Sequence, residues 1–115
     1  MGMDVCGLNP TSTEGEYFAR NVWAWDQLAS LCETVAPEES RPCRYWHYNE
    51  GDGLDAEEAM RLADRLEEVV ANGQLAALLE WLSKEDNVTV CSAISAESVS
   101  EFIGFLRTCG GFRIW

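Results

Sequence analysis

The pattern of apolar positions indicates a first helix over residues 17–35. Apolar side chains in this range recur every three or four positions, which is the spacing of one helix face. They are Phe18, Val22, Trp25, Leu28, Cys32 and Val35. Pro37 then ends the helix, because proline has no backbone N–H with which to continue it. Trp23 falls off this stripe, so its indole either packs in a second layer or lies exposed as a contact residue.

The clearest helical pattern covers residues 55–72. Asp55 and Glu58 have the spacing of a capping box, in which each side chain bonds the backbone N–H of the other residue. Apolar residues follow at helical spacing, namely Ala59, Met60, Leu62, Ala63, Leu66, Val69 and Val70. Glu57 stands four residues before Arg61, which is the favourable order for an ion pair on the outer helix face. We therefore expect this helix to begin directly after Asp55.

Two further helices and a small sheet complete the predicted fold. Apolar residues at helical spacing predict a third helix over residues 74–86 and a fourth over residues 96–109. Residues 112–115 alternate as a strand does, and their natural partner is the short apolar segment at residues 3–6. We therefore predict a single domain over residues 1–115, of the α+β class and predominantly helical, with a small sheet formed by the terminal segments.

Composition and charge restrict the classes of partner that the protein can bind. The chain has 47% apolar residues and five tryptophans in 115 residues, which is typical of a folded protein. Its formal net charge is −12, because twenty acidic side chains stand against eight basic ones. Phosphate backbones and anionic lipid would repel such a chain, so we expect neither direct nucleic-acid binding nor membrane binding. The expected partner is another protein; the charge is compatible with a basic one, and its simpler interpretation is that it keeps the protein soluble and monomeric.

The cysteines and the first residues favour a soluble, cytoplasmic protein. None of the five cysteines belongs to a C-x-x-C pair, and the chain shows neither the apolar core of a signal peptide nor a complete lipidation motif. No uncharged apolar run approaches the roughly 20 residues of a membrane helix. The thiols are therefore expected to be free, and to be buried as small hydrophobic side chains.

One motif suggests a nucleotide but is rejected on electrostatic grounds. Gly51, Gly53 and Ala56 have the spacing of the dinucleotide-binding fingerprint. Asp52 and Asp55 would place two negative charges where the pyrophosphate should lie, and the Asp55 side chain is expected to occupy the helix N-terminus itself. The next predicted element is also a helix, whereas a βαβ unit requires a strand. We predict no cofactor.

His47 is the only histidine, so any histidine-dependent catalysis would have to use it. Cys43 lies four residues earlier, which makes the pair half of a zinc site and makes Cys43 the nearest candidate nucleophile. A buried thiol near a structural histidine is the simpler interpretation, so we predict neither a metal site nor a catalytic residue, and an enzyme is disfavoured. A small enzyme or metal-binding protein that uses His47 and Cys43 remains an alternative.

Aromatic and acidic side chains together form the candidate interaction surface. Its members are Trp23, Trp46, His47, Tyr48, Glu50 and Asp52. Exposed aromatic side chains contribute much of the binding energy of interfaces, and carboxylates attract a basic partner. The sequence therefore predicts a protein-binding or accessory module. A second alternative, which the acidity of the chain also permits, is a phage-type inhibitor or nucleic-acid mimic.

Three motifs resemble a group of short bacterial and bacteriophage proteins. They are Met3-Asp4-Val5-x-Gly7-x-Asn9-Pro10, Tyr17-Phe18-x-x-Asn21-Val22-Trp23-x-Trp25 and Phe102-x-x-Phe105-Leu106-x-x-x-Gly110-Gly111-Phe112-x-Ile114. The group has no assigned function, so the resemblance implies no activity; it does imply that Met3 is the native start. Longer members have C-x-x-C-x-G-x-G motifs of the zinc-binding kind before the last helix. The interval from Trp81 to Val99 here has only Cys91, so the resemblance implies no metal site.

Overall fold

The computed structural model describes residues 2–48, 50–77 and 96–115. Its elements are β1 (Gly2–Gly7), β2 (Tyr17–Asn21), α1 (Val22–Val35), α2 (Pro37–Ser40), β3 (Gly53–Asp55), α3 (Ala56–Ala71), α4 (Ala96–Thr108) and β4 (Gly111–Ile114). The four strands form one antiparallel sheet in the order β2-β1-β4-β3. The predicted α+β class, mainly helical with a sheet from the terminal segments, is confirmed. None of the described helices is both long and apolar enough to cross a lipid bilayer.

One face of the sheet is buried against the helices. Successive side chains of a strand point to opposite faces, and the buried strand residues alternate accordingly. They are Met3, Val5, Phe18, Leu54, Phe112 and Ile114. Phe102 of α4 joins this layer to the helices, because its ring lies 5.1 Å from that of Phe18 and 5.7 Å from that of Trp25, measured between centroids. The core is therefore built largely from aromatic contacts between the sheet, α1 and α4.

The start of the first helix differs from the prediction. We predicted a helix over residues 17–35, but the first five of these residues form β2 and α1 begins at Val22. Asn21 is the N-cap, and its side-chain oxygen accepts a hydrogen bond of 2.7 Å from a backbone N–H of the first turn. The predicted helix began too early because Phe18 lies four residues before Val22. A spacing of four fits both the helical period and the strand period of two.

Residues 44–48, in the loop that follows α2, form no strand although their sequence Arg-Tyr-Trp-His-Tyr is rich in the aromatic residues that favour one. The carboxylate of Asp52 accepts the backbone N–H of Arg44 at 2.8 Å and that of Tyr45 at 3.0 Å. These donors therefore have a side-chain partner, and they do not join the sheet. The fourth strand is instead β3, which pairs with β4 so that Leu54 stands opposite Phe112.

Helix α3 confirms the most specific sequence prediction. Asp55 accepts the Glu58 backbone N–H at 2.8 Å and Glu58 accepts the Asp55 backbone N–H at 2.9 Å, so the capping box is complete. The helix ends at Ala71, and Gly73 follows with a φ of 80°, a left-handed conformation that glycine adopts without strain. Residues 74–77 are helical; the rest of the predicted helix over residues 74–86 lies outside the described residues.

Candidate functional site

Trp46 anchors the loop between α2 and β3 to the core. Its indole N–H donates to the Ser40 carbonyl at 2.9 Å, and its own carbonyl accepts the Trp25 indole N–H at 2.5 Å. The Trp25 and Trp46 rings stack with centroids 6.0 Å apart. Trp46 is 1% exposed, so the prediction that it belongs to an exposed interaction surface is wrong. Its polar N–H has a buried partner, which allows the whole indole to enter the core.

His47 follows Trp46 and lies against the outer side of α1. Its Nδ1 is 3.0 Å from an Asp26 carboxylate oxygen, and its Nε2 is 2.7 Å from a Glu33 carboxylate oxygen. Asp26 and Glu33 are seven residues apart, so they share one helix face two turns from each other. The imidazole ring spans that distance because its two nitrogens lie on opposite sides. Each nitrogen therefore has its own carboxylate partner.

Two opposing influences act on the pKa of His47. Partial burial lowers the pKa, because it disfavours the charged ring, but the hydrogen bonds to Asp26 and Glu33 favour the imidazolium and prevail. The net effect is a pKa above the ordinary value of 6.5. The imidazolium is also the form that can donate to both carboxylates.

Two exposed aromatic side chains flank this histidine cluster. Trp23 is 43% exposed and stands three residues before Asp26, which places both on the same face of α1. Tyr48 follows His47 and is 58% exposed. We call the surface formed by Trp23, Asp26, Glu33, His47 and Tyr48 the α1 face. It unites three of the predicted surface residues with two carboxylates that the sequence did not single out; their signal was the seven-residue spacing on one helix.

Asp52 supports the loop instead of belonging to the exposed surface. Besides its bonds to Arg44 and Tyr45, it accepts the Gly53 backbone N–H at 2.9 Å. Burial raises the pKa of the Asp52 carboxyl, but the three backbone donors outweigh burial and lower the pKa overall. Asp52 is therefore a structural anion. Glu50 is exposed in the same loop, and its carboxylate has no bonded partner among the described residues.

Cys43 and His47 do not form a reactive pair. Cys43 is buried, and this burial, with a smaller contribution from the negative charge of Asp52, raises the pKa of its thiol to about 12. Such a thiol is almost entirely protonated at neutral pH, whereas nucleophiles and zinc ligands need the thiolate. Both nitrogens of His47 are bonded to carboxylates instead. Within residues 2–48, 50–77 and 96–115, no three His, Cys, Asp or Glu side chains are placed to hold a metal ion.

The sheet face opposite the core also carries aromatic residues, which the sequence analysis missed. Tyr17 and Trp115 are each more than half exposed. The Tyr17 hydroxyl donates to the Asp4 carboxylate, and the Trp115 backbone N–H donates to the Asp4 carbonyl at 2.7 Å. Tyr17 was missed because it was assigned to a helix. The alternation of exposed Tyr17 with buried Phe18 was the signal for a strand with one open face.

Comparison with known proteins leaves the function to be inferred from this geometry. No protein-family model, curated protein or solved structure matches the chain. The resemblance to short bacterial and phage proteins therefore stays a prediction.

Proposed function

We propose that this protein is a binding module that recognises a basic segment of another protein through the α1 face. The observation that supports this most is the exposure of Trp23 beside the acidic pair Asp26 and Glu33. An exposed indole stacks well on guanidinium and ammonium groups, and carboxylates beside it bond the same cations. Lys and Arg side chains of a partner are therefore the chemistry that this face fits best.

The distribution of arginine on the protein supports the choice of α1 over α3. Helix α1 has two acidic residues and neither Lys nor Arg. On α3, by contrast, four of the five carboxylates have a cationic partner, so they are partly neutralised. The pairs are Arg61 with Glu57, Arg65 with Glu68, and Arg107 with both Asp64 and Glu67. Among the described residues, the two carboxylates of α1 therefore pair with His47 and not with Lys or Arg, and the exposed tryptophan lies on the same helix.

The same pairs weaken the nucleic-acid mimic as an alternative. A mimic must present a row of free carboxylates in place of phosphates, and the long acidic helix α3 presents four of its five carboxylates paired with arginine. The enzyme alternative has little support as well. Cys43 is a buried, protonated thiol, and a cavity of about 380 Å³ between α3 and α4 is lined by neither Cys43 nor His47.

Selection from a random peptide library tests the proposal without a known partner. We expect the wild-type protein to enrich peptides rich in Lys and Arg, whose binding weakens as salt screens the charges. Trp23→Ala should weaken binding of the enriched peptides about tenfold or more, as expected for an aromatic anchor. Met60→Ala is the matched control, because Met60 is 40% exposed on α3 and lies outside the α1 face.

Two results would contradict the proposal. One is enrichment of acidic or uncharged peptides, which would remove the argument from charge. The other is binding that survives Trp23→Ala but is lost in Tyr17→Ala or Trp115→Ala, which would move the site to the open sheet face. Because all four substituted side chains are exposed, circular dichroism should show a native fold in each variant.

A further inference from the structure

The hydrogen bonds of His47 require a specific protonation state. A neutral imidazole has one N–H and one lone pair, whereas the imidazolium has two N–H groups. Both ring nitrogens lie within hydrogen-bonding distance of carboxylate oxygens, at 3.0 Å from Asp26 and 2.7 Å from Glu33. A neutral ring would point its lone pair at one of these carboxylates. The observed arrangement is therefore the arrangement of the protonated ring.

The surroundings of the His47 ring allow it to bind and release a proton. The charged groups that face His47 are Asp26 and Glu33, both from α1; neither α2 nor its own loop adds another to its interactions. Its side chain is 36% exposed, so solvent reaches it directly. The backbone nearby is also held by a bond that does not involve His47, because the Trp46 indole N–H donates to the Ser40 carbonyl at 2.9 Å.

We propose that His47 is a proton-operated clamp, in which the imidazolium fastens the loop to α1 through Asp26 and Glu33 and the neutral ring releases at least one of these carboxylates. The change is local, since the Trp46 anchor holds in both states. Loss of the proton also makes the α1 face more negative by one charge and frees a carboxylate on it. The clamp is a property of the unbound protein, so it stands independently of the proposed function.

The direction of the pH dependence follows from the hydrogen bonds. Partial burial lowers the pKa of His47, but the bonds to Asp26 and Glu33 raise it by more, so the folded pKa lies above 6.5. The stability that the clamp contributes is therefore fully present below the unfolded pKa and is lost as the pH rises through the folded pKa. The clamp is closed in mildly acidic solution and open in alkaline solution.

A proton NMR titration tests the clamp cleanly, because the protein has a single histidine. The titration starts above about pH 5.5, where ordinary carboxyl groups are ionised. We expect a wild-type midpoint above 6.5. Asp26→Asn and Glu33→Gln should each lower the proton affinity of His47 several-fold, and the double variant should lower it by about tenfold or more. Glu38→Gln, which removes an exposed acid from α2, is the matched control and should have little effect.

Amide hydrogen exchange over the same pH range supplies a second readout. After correction for the intrinsic pH dependence of exchange, the backbone N–H of Tyr48, which donates to the Tyr45 carbonyl at 3.1 Å, should lose protection above the His47 midpoint. The Trp46 indole N–H should stay protected throughout. A wild-type midpoint at or below 6.5, or effects of the α1 variants no larger than that of Glu38→Gln, would overturn the proposal. Protection of Tyr48 that is the same on both sides of the midpoint would also overturn it, because the ring would then titrate without release.

Discussion

At the scale of single residues, Trp23 and Trp25 show how position on a helix decides the role of an indole. Residues two positions apart are about 200° apart around the helix axis, so they point to nearly opposite sides. Trp25 is fully buried, whereas Trp23 lies on the α1 face. Periodicity predicted the burial of Trp25 correctly. It could not predict the burial of Trp46, which depends on a hydrogen bond from Trp25, 21 residues away in the chain.

Alanine substitution should separate the two kinds of tryptophan. We expect Trp46→Ala to lower the free energy of unfolding by about 3–5 kcal/mol, because it removes a buried indole and one of the two donors of the Ser40 carbonyl, the other being the Cys43 backbone N–H. Trp23→Ala should change the free energy of unfolding by less than about 1 kcal/mol, because the indole is largely exposed. Urea unfolding followed by circular dichroism measures both. Equal losses in the two variants would place Trp23 in the core and remove the α1 face.

At the scale of elements, local signals predicted α3 much better than the junction of β2 and α1. The capping box and the amphipathic stripe of α3 lie within one segment, so the sequence contains all the information that sets its start. The limit between β2 and α1 depends on pairing with β1, which involves residues far along the chain. The Asn21 cap was a local signal for this limit, but the apolar stripe that runs through it obscured the change of period.

The capping box should contribute measurably to stability. Asp55→Ala removes the side-chain acceptor of the Glu58 backbone N–H, and we expect a loss of about 1 kcal/mol in the free energy of unfolding. Glu57→Ala removes one carboxylate from the same helix turn and should cost only a few tenths of a kcal/mol, because its ion pair with Arg61 is exposed to solvent. Urea unfolding compares the two variants. If Asp55→Ala costs no more than Glu57→Ala, the cap does not stabilise α3.

Strand β2 forms an edge of the sheet in the described part of the chain, and Arg20 covers that edge. The Gly7 backbone N–H donates to the Glu16 carbonyl. In an antiparallel pair every second residue bonds the neighbouring strand, so the backbone N–H and C=O of Ala19, three residues after Glu16, point away from β1. Arg20 donates to the Ala19 carbonyl at 2.7 Å and pairs with Glu101. A charged side chain over a free edge is a common protection against pairing between molecules.

Removal of this cover should promote self-association. We expect Arg20→Ala to sediment faster as the protein concentration rises, because the Ala19 carbonyl becomes available to a second molecule. Arg61→Ala makes the same change in charge on α3 and should sediment as the wild-type protein does. Sedimentation velocity at several concentrations distinguishes the variants. If Arg20→Ala also sediments as the wild-type protein does, cover of the edge by Arg20 does not prevent association; if both variants associate equally, the loss of a positive charge is the cause.

At the scale of the whole molecule, the alternating pattern predicted that the two ends of the chain would meet. Strands β1 and β4 do pair, with Val5 opposite Ile114. The order of the four strands could not be predicted, because β2 was hidden in a helical pattern and β3 has only three residues. The candidate surface was also predicted only in part, because some of its contacts depend on residues far apart in the chain. The position of its exposed Trp23 off the apolar stripe of α1 follows from local periodicity, whereas the bonds from His47 to α1 follow only from the folded loop.

Charge is arranged unevenly over the folded protein. Arginine neutralises the acids of α3, whereas the acids of α1 face a single histidine whose charge depends on pH. The α1 face therefore presents two carboxylates whose only cationic partner among the described residues is a histidine, and an exposed indole adds contact area there. Binding of a basic segment at this face is the central claim.

The tryptophan indole signals provide the most direct test of that claim. Each indole N–H gives its own signal in a nitrogen-15 NMR spectrum, and an enriched Lys- and Arg-rich peptide can be titrated into the labelled protein. Trp23 reports on the α1 face and Trp115 on the open sheet face, while the buried Trp25 and Trp46 report on the core. We expect the Trp23 indole and the amides around Asp26 to shift most. Shifts centred on Trp115 and Tyr17, with Trp23 unchanged, would contradict the account.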